Sequence, residues 1–170
     1  MDSLRLIRNV LCQSVGRKRV ILIRPDDTEY LYIDGDKSPV NNFDDYEGCI
    51  RAFPLLKRAK LLKVYLEPKD AIFIPALWWH NIRTVCEDDN EDVGYSIGFN
   101  IFWRDPRIAY SSIYAEKDVY GNKNLIPYDA AVTNLDRALA HLDRLPEKYK
   151  RFHQIMLFER LKARLSLNRV

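Results

Sequence analysis

The 170 residues, 47% hydrophobic and 12% aromatic, suit one compact domain with a buried core; they are too few for two comfortable domains and exclude a disordered chain. Twenty-seven Lys and Arg against 24 Asp and Glu leave a net charge of +3, which excludes a histone-like polycation or an acidic storage segment and by itself names no partner. The three cysteines, Cys12, Cys49 and Cys86, form no C-x-x-C pair and follow no signal peptide, so reduced thiols in a cytoplasmic or nuclear protein are expected; no apolar run approaches the roughly 20 residues of a membrane span.

In chain order, Arg17-Lys18-Arg19-Val20-Ile21-Leu22-Ile23 leads from a basic turn after Gly16 into a β-branched strand, which Arg24-Pro25-Asp26-Asp27 stops. A short aromatic run at 30–33 ends at Asp34-Gly35-Asp36. Residues 37–56 carry prolines and asparagines without a sustained period and read as a long connection. Lys63-Val64-Tyr65-Leu66-Glu67 alternates apolar and charged residues, Pro68-Lys69-Asp70 turns, and Ala71-Ile72-Phe73-Ile74 resumes, which predicts two strands. After His80-Asn81-Ile82 the acidic tip at 86–92 is a solvated loop joining two strands. In the second of these, Val93, Tyr95, Ile97, Phe99, Ile101 and Trp103 alternate with Gly94, Ser96, Gly98 and Asn100. Strand side chains alternate faces, so this strand is expected at the centre of a small barrel. Its bulky face should be packed, and Ser96, Gly98 and Asn100 should line a ligand cavity.

Composition changes after Pro127, dividing a barrel region, 1–127, from a helical region, 128–170. Ala131, Val132, Leu135, Ala138, Leu139, Leu142 and Leu145 recur at helical spacing, and Pro146 restarts the chain where a first helical turn tolerates it. Phe152, Ile155, Met156, Phe158, Leu161 and Leu165 then give a second helix over 147–167 a wide apolar face. Around it lie Lys148, Lys150, Arg151, Arg160, Lys162, Arg164 and Arg169 against Glu147 and Glu159. An apolar stripe with a basic rim predicts that these helices pair two chains into a homodimer; contact with a nucleic-acid backbone is the second use of the charge.

Three histidines allow metal chemistry to be read exhaustively. His141-Leu142-Asp143 spells a His-x-Asp, but residues two apart on a helix point roughly 200° apart, so this pair cannot close on one ion. His153 stands alone on a basic helix and reads as solvated. His80 follows a turn, a buried strand, Pro75 and the bulky bend Ala76-Leu77-Trp78-Trp79, and is either a packed core histidine or a metal ligand. Lys18, just inside a strand, is costly to bury unless a carboxylate meets it; otherwise it is an exposed member of the 17–19 cluster.

The blocks Gly16-Arg17-Lys18-Arg19-Val20, Tyr30-Leu31-Tyr32 with Lys37-Ser38, Phe73-Ile74-Pro75-Ala76-Leu77-Trp78-Trp79-His80-Asn81, Asn100-Ile101-Phe102-Trp103, Tyr120-Gly121-Asn122-Lys123 and Leu135-Asp136-Arg137-Ala138-Leu139 occur in one order. Through them the chain resembles the JmjC-type, cupin-fold Fe(II) and 2-oxoglutarate oxygenases, in particular those that hydroxylate the wybutosine side chain of phenylalanine tRNA. The resemblance implies a mainly β fold, a double-stranded β-helix followed by a helical pair. It also implies that His80 is the distal iron ligand, that Lys18 holds the distal carboxylate of 2-oxoglutarate, that Asn9 contacts the same cosubstrate, and that tRNA is a partner.

Counted back from Asn9 and Lys18, the family's His-x-Asp falls on Ser3-Leu4-Arg5, which contains neither ligand. A facial triad needs two imidazoles and a carboxylate, so iron is not expected to bind this chain. The chain then reads as the C-terminal part of such an oxygenase, an incomplete barrel with at least one unpaired sheet edge. Three functions follow as expectations: the tRNA hydroxylase of the family, a non-catalytic relative acting by dimerisation, and a metal-free module for a small carboxylate resting on Lys18 and Asn100.

Overall fold

A computed structural model describes residues 2–3, 7–34, 37–85, 95–104 and 124–165. Leu4 and Arg5, the acidic tip at 86–92, Val93 and Gly94, the block at 120–123 and Arg169 lie outside the described residues. The chain divides into two compact units, 1–124 and 125–170.

Among its described residues the first unit holds seven strands in two antiparallel sheets: β1 (Asp2–Ser3), β2 (Ile7–Val15), β3 (Arg17–Ile23), β4 (Leu61–Leu66), β5 (Ala71–Ile74), β6 (Trp79–Val85) and β7 (Ile97–Arg104). One sheet has the order β1-β6-β3-β4 and the other β5-β2-β7. Consecutive strands β2 and β3 therefore belong to different sheets, and a single residue, Gly16, carries the chain from one to the other. That corner has φ +69°, and a Cβ there would lie 2.8 Å from the Tyr95 carbonyl oxygen, so the position requires glycine on both counts.

The two sheets face each other across Leu11 of β2, Ile74 of β5, Val20 and Leu22 of β3, and Leu66 of β4. The other face of β3 is also covered. Ile21 and Ile23 pack with Trp79 against Leu31, Val40, Phe43, Cys49, Leu56 and Ala59. These come from the segment between β3 and β4, and each fully buried aliphatic side chain contributes on the order of 1.5 to 3 kcal/mol. The segment read as an open connection contains a helix, α1 (Tyr46–Ala52), and 3-10 turns at Pro25–Tyr30 and Pro54–Arg58. The Asp45 side chain caps α1, accepting from the Gly48 amide at 2.8 Å. At seven residues with only Cys49 buried, α1 is too short to leave a helical period in the sequence.

The strand expected at the centre of the barrel lies at the edge of its sheet: among the described residues β7 pairs with β2 alone. Its register places Gly98, Asn100 and Phe102 opposite Gln13, Leu11 and Asn9, on the face toward the other sheet. Phe99, Ile101 and Trp103 lie opposite Cys12, Val10 and Arg8 on the outer face. The small-residue face does turn inward. The bulky face is not packed, however: Ile97, Phe99 and Ile101 remain 49–53% exposed. Alternation says only that two faces differ; nothing in the described residues covers the outer one beyond a Phe73–Trp103 stack with ring centroids 5.8 Å apart.

The second unit is a helical pair, α2 (Ile126–Leu142) and α3 (Glu147–Leu165). Pro127 sits in the first turn of α2 and so starts that helix five residues before the periodic run at 131 begins. Lys150 Nζ meets Asp143 Oδ1 at 2.8 Å across the turn, and this contact raises the Lys150 pKa. Neither helix buries a residue; Leu135, Leu139, Phe152, Ile155 and Phe158 are all exposed. No helix among the described residues is long and apolar enough to cross a membrane.

Candidate functional site

The inward face of the first unit is packed at one side and open at the other. Around β3, β4 and β5 it is filled by the aliphatic cluster, whereas the inward positions Ile82 and Thr84 on β6 and Gly98, Asn100 and Phe102 on β7 are exposed. Lys18 pairs with Leu66 on one side and Thr84 on the other, and Leu22 pairs with His80, so Lys18, Val20, Leu22 and His80 share this face. The face carries polar groups at two ends. Lys18, Gln13 and Ser96 gather beside the Gly16 corner. Asn9, whose register partner is Ile74 at the end of β5, and His80 lie toward the Pro75 bend, four residues further along the strands, roughly 13 Å.

At the first end Lys18 Nζ donates to Ser96 Oγ at 2.8 Å, and the Lys18 stem runs past Gly98, where an added Cβ would come within 3.4 Å of Lys18 Cε. The ammonium thus points between the sheets, while its neighbours Arg17 and Arg19 point to the opposite face. There Arg19 is buried and pairs with Asp44, which also takes Arg83. Arg17 lies over the Tyr65 ring at 4.5 Å, and the Lys63 amine lowers the Tyr65 pKa. Gln13 is 2% exposed and donates through Nε2 to the Val15 carbonyl (2.6 Å), the Gly16 carbonyl (2.8 Å) and Ser96 Oγ (2.8 Å).

At the second end Asn9 is 3% exposed, and its Oδ1 has no hydrogen-bond partner among the described residues. An unmet buried amide oxygen costs on the order of 1 to 3 kcal/mol and marks a place where a ligand or water belongs. His80 is half-buried at the start of β6 with Nδ1 3.3 Å from the Trp78 carbonyl. The bend before it holds Leu77 at φ +69°, a left-handed conformation unusual for leucine. The face thus presents a cation and a hydroxyl at one end and an amide and an imidazole toward the other.

His80 is the one histidine in residues 1–124, and among the described residues no cluster of three or more His, Cys, Asp or Glu side chains can hold a metal. In the backbone register Asp2 is opposite His80 and Ser3 opposite Trp79; the other two positions counted for the His-x-Asp, Leu4 and Arg5, lie outside the described residues. Of the other His-x-Asp, His141 lies on α2 and Asp143 caps its end, where it pairs with Lys150. His141 and His153 both line a groove between α2 and α3 together with Met156 and Leu157.

Sequence reading named Asn9, Lys18, His80 and the Ser96–Asn100 face but passed over Gln13. The available signal was a second amide on the inward side of β2, at the spacing Asn9, Leu11, Gln13, where an apolar residue would be expected.

Fold and site together define a cupin-type β-barrel unit followed by a helical pair. The cupin-like domain family matches residues 5–108, more than half of the chain, and the chain belongs to that family. Similar proteins include tRNA wybutosine-synthesizing protein 5 of Danio rerio, 35% identical over 95% of this chain and 45% of its own length. That of Homo sapiens is 40% identical over 85% and 42%. The tRNA wybutosine-synthesizing protein 4 of Aspergillus oryzae is 32% identical over 92% of this chain and 14% of its own. The chain thus spans less than half the length of these relatives.

Proposed function

We propose that this chain serves tRNA wybutosine modification as the cosubstrate-holding half of a 2-oxoglutarate-dependent hydroxylase site. In this reading Lys18 neutralises the distal carboxylate of 2-oxoglutarate, and Asn9 and His80 lie further along the same face, toward the Pro75 bend. The observation that carries the reading is the inward ammonium of Lys18 against Ser96, on a face that also holds an unmet buried amide oxygen. In this reading the chain binds the dicarboxylate without turning it over, since no group of three metal-ligating side chains occurs among the described residues.

Titration calorimetry of the 170-residue chain with 2-oxoglutarate, with and without Fe(II), tests this. Metal-independent binding that is lost in Lys18→Met is the expected result. Stoichiometric iron retained after chelator dialysis and lost in His80→Ala, or iron-dependent consumption of 2-oxoglutarate, would overturn the non-catalytic part. Restoring both ligands with Ser3→His and Arg5→Asp is expected to recover turnover only in part. The link to tRNA is tested by the hydroxywybutosine content of phenylalanine tRNA in cells with and without the chain, which should differ.

A second reading, a non-catalytic partner acting by dimerisation, is favoured by the apolar side chains that α2 and α3 leave exposed. Exchange of Phe158 and Leu161 for aspartate should convert a sedimenting dimer to monomers. Neutralising Arg160 and Lys162 should leave the dimer intact and weaken only salt-sensitive tRNA binding. A wild-type chain sedimenting as a monomer at micromolar concentration would end this reading.

A further inference from the structure

Ser96 occupies an unusual electrostatic position. Its oxygen receives Lys18 Nζ at 2.8 Å and Gln13 Nε2 at 2.8 Å. Neither neighbour can take a proton from it in this arrangement, since an ammonium has no lone pair and neither does an amide nitrogen. With the oxygen and nitrogen of Gln13 exchanged, the amide oxygen could accept from Ser96, but two backbone carbonyls disfavour that orientation. The oxygen would then face the Val15 and Gly16 carbonyls, which now accept at 2.6 and 2.8 Å, and three acceptors would be driven together. The amide orientation is thus set by two backbone carbonyls at the sheet-changing corner. The two Nε2 hydrogens are shared among three acceptors, so Ser96 accepts chiefly from Lys18 and faces the Gln13 amide nitrogen as well, and its hydrogen has no acceptor among the described residues.

Close approach beside this hydroxyl requires glycine. Gly98, two residues on and on the same inward face, has no room for a side chain. An added Cβ would lie 2.9 Å from the Cys12 carbonyl oxygen, 3.0 Å from Gln13 Oε1 and 3.4 Å from Lys18 Cε. Asn100 follows on that face and is exposed. A cation and a hydroxyl with its hydrogen unused, 2.8 Å apart on an open face, make a two-pronged donor for one anionic group. Both prongs act where water is partly excluded and charge-assisted hydrogen bonds are strong.

We propose that Ser96 is a second carboxylate-binding residue: its hydroxyl, turned outward by Lys18 and Gln13, donates to the same carboxylate that Lys18 neutralises. The inference rests on the reading of this face as a dicarboxylate site and adds to it a residue that sets affinity. Because the hydroxyl is a single directional donor, it selects a planar carboxylate placed beside the ammonium over a ligand that offers Lys18 nothing more than charge.

The test is 2-oxoglutarate binding to the 170-residue chain by titration calorimetry, for wild type, Ser96→Ala, Ser96→Thr and Lys18→Met, with unfolding midpoints measured alongside. A hydrogen bond to a charged group corresponds to roughly a ten-fold change in affinity or more. Ser96→Ala should therefore bind at least about ten-fold more weakly, while Ser96→Thr, which keeps the hydroxyl, should stay within about three-fold of wild type. Unchanged affinity in Ser96→Ala overturns the proposal while leaving the dicarboxylate site standing. Equal losses in the alanine and threonine variants also overturn it, assigning Ser96 a packing role. If wild type shows no binding at millimolar 2-oxoglutarate, or if Lys18→Met binds as wild type does, the site reading itself fails and takes the proposal with it. Should Ser96→Ala not fold, Ser96→Cys, similar in volume and a far weaker donor, replaces it with the same expected order of affinities.

Discussion

Strands β3 and β7 are nearly equal in length and comparably apolar, yet they do opposite things. β3 is a central strand flanked by β4 and β6, with one face on the inter-sheet cluster and the other on the layer from the 3-10 turns and α1; Val20, Ile21, Leu22 and Ile23 are all at most 4% exposed. β7 is held along one edge by β2 and shows half of Phe99, Ile101 and Phe102 to solvent. The difference separates stability from function. The strand covered on both faces carries the fold and delivers Lys18 near its start, while the open strand contributes Gly98 and Asn100 to the inward face.

Mutation should exaggerate the contrast most at the two apolar positions Leu22 and Ile101. Leu22→Ala removes a side chain filled around on every side and should cost about 2 to 5 kcal/mol in chemical denaturation, whereas Ile101→Ala should cost less than about 1 kcal/mol. Equal losses would mean that the outer face of β7 is covered in solution. Next in size is Asp44→Ala, which leaves the buried Arg19 guanidinium with only Asn81 Oδ1 at 3.4 Å. Because Asp44 is itself half-exposed, the expected loss is reduced by solvent screening to about 1 to 3 kcal/mol. A charge placed on the outer face of β7, Phe99→Lys, should change stability by no more than about 0.5 kcal/mol yet lower light scattering on heating, since open apolar edge strands template association.

Smaller effects distinguish the chemistry of the two environments. Cys49 lies in the layer behind β3, and burial pushes its thiol pKa up; Cys12 lies half-buried on the outward face of β2 beside β7. A raised pKa lowers the thiolate fraction at a given pH, so iodoacetamide near pH 8 should label Cys12 well before Cys49 by peptide mass spectrometry. The gap should narrow as pH rises. On β4, the neighbour of β3, Tyr65 should ionise below the range of a free tyrosine because the Lys63 amine favours its phenolate. Absorbance at alkaline pH, compared with Tyr65→Phe, should isolate this step, and Lys63→Met should move it back upward.

Much of this was legible along the chain. The β-branched run of β3, the alternation of β4 and β7 and the two helices all follow from local periodicity. Lys18 and His80 stood out because a cation at the head of an apolar strand and an imidazole after a proline bend are each costly without a partner. The helix α1 was hidden by its shortness, and Gln13 by lying in a strand, β2, that no clear pattern announced. The misplacement of β7 has a more general cause: alternation divides a strand into two unlike faces, but whether either face is covered depends on neighbours far away in sequence.

The amino-acid sequence by itself determined which segments extend, which coil into helices and which residue types the inward faces carry, because those depend on side chains two, three or four positions apart. Only the tertiary structure decided that Gly16 changes sheets, and thereby that Gln13 and Lys18 meet Ser96, 83 and 78 residues further on. That meeting is a matter of register between β2, β3 and β7, and register is set by long-range pairing and packing that leave no trace in any local pattern.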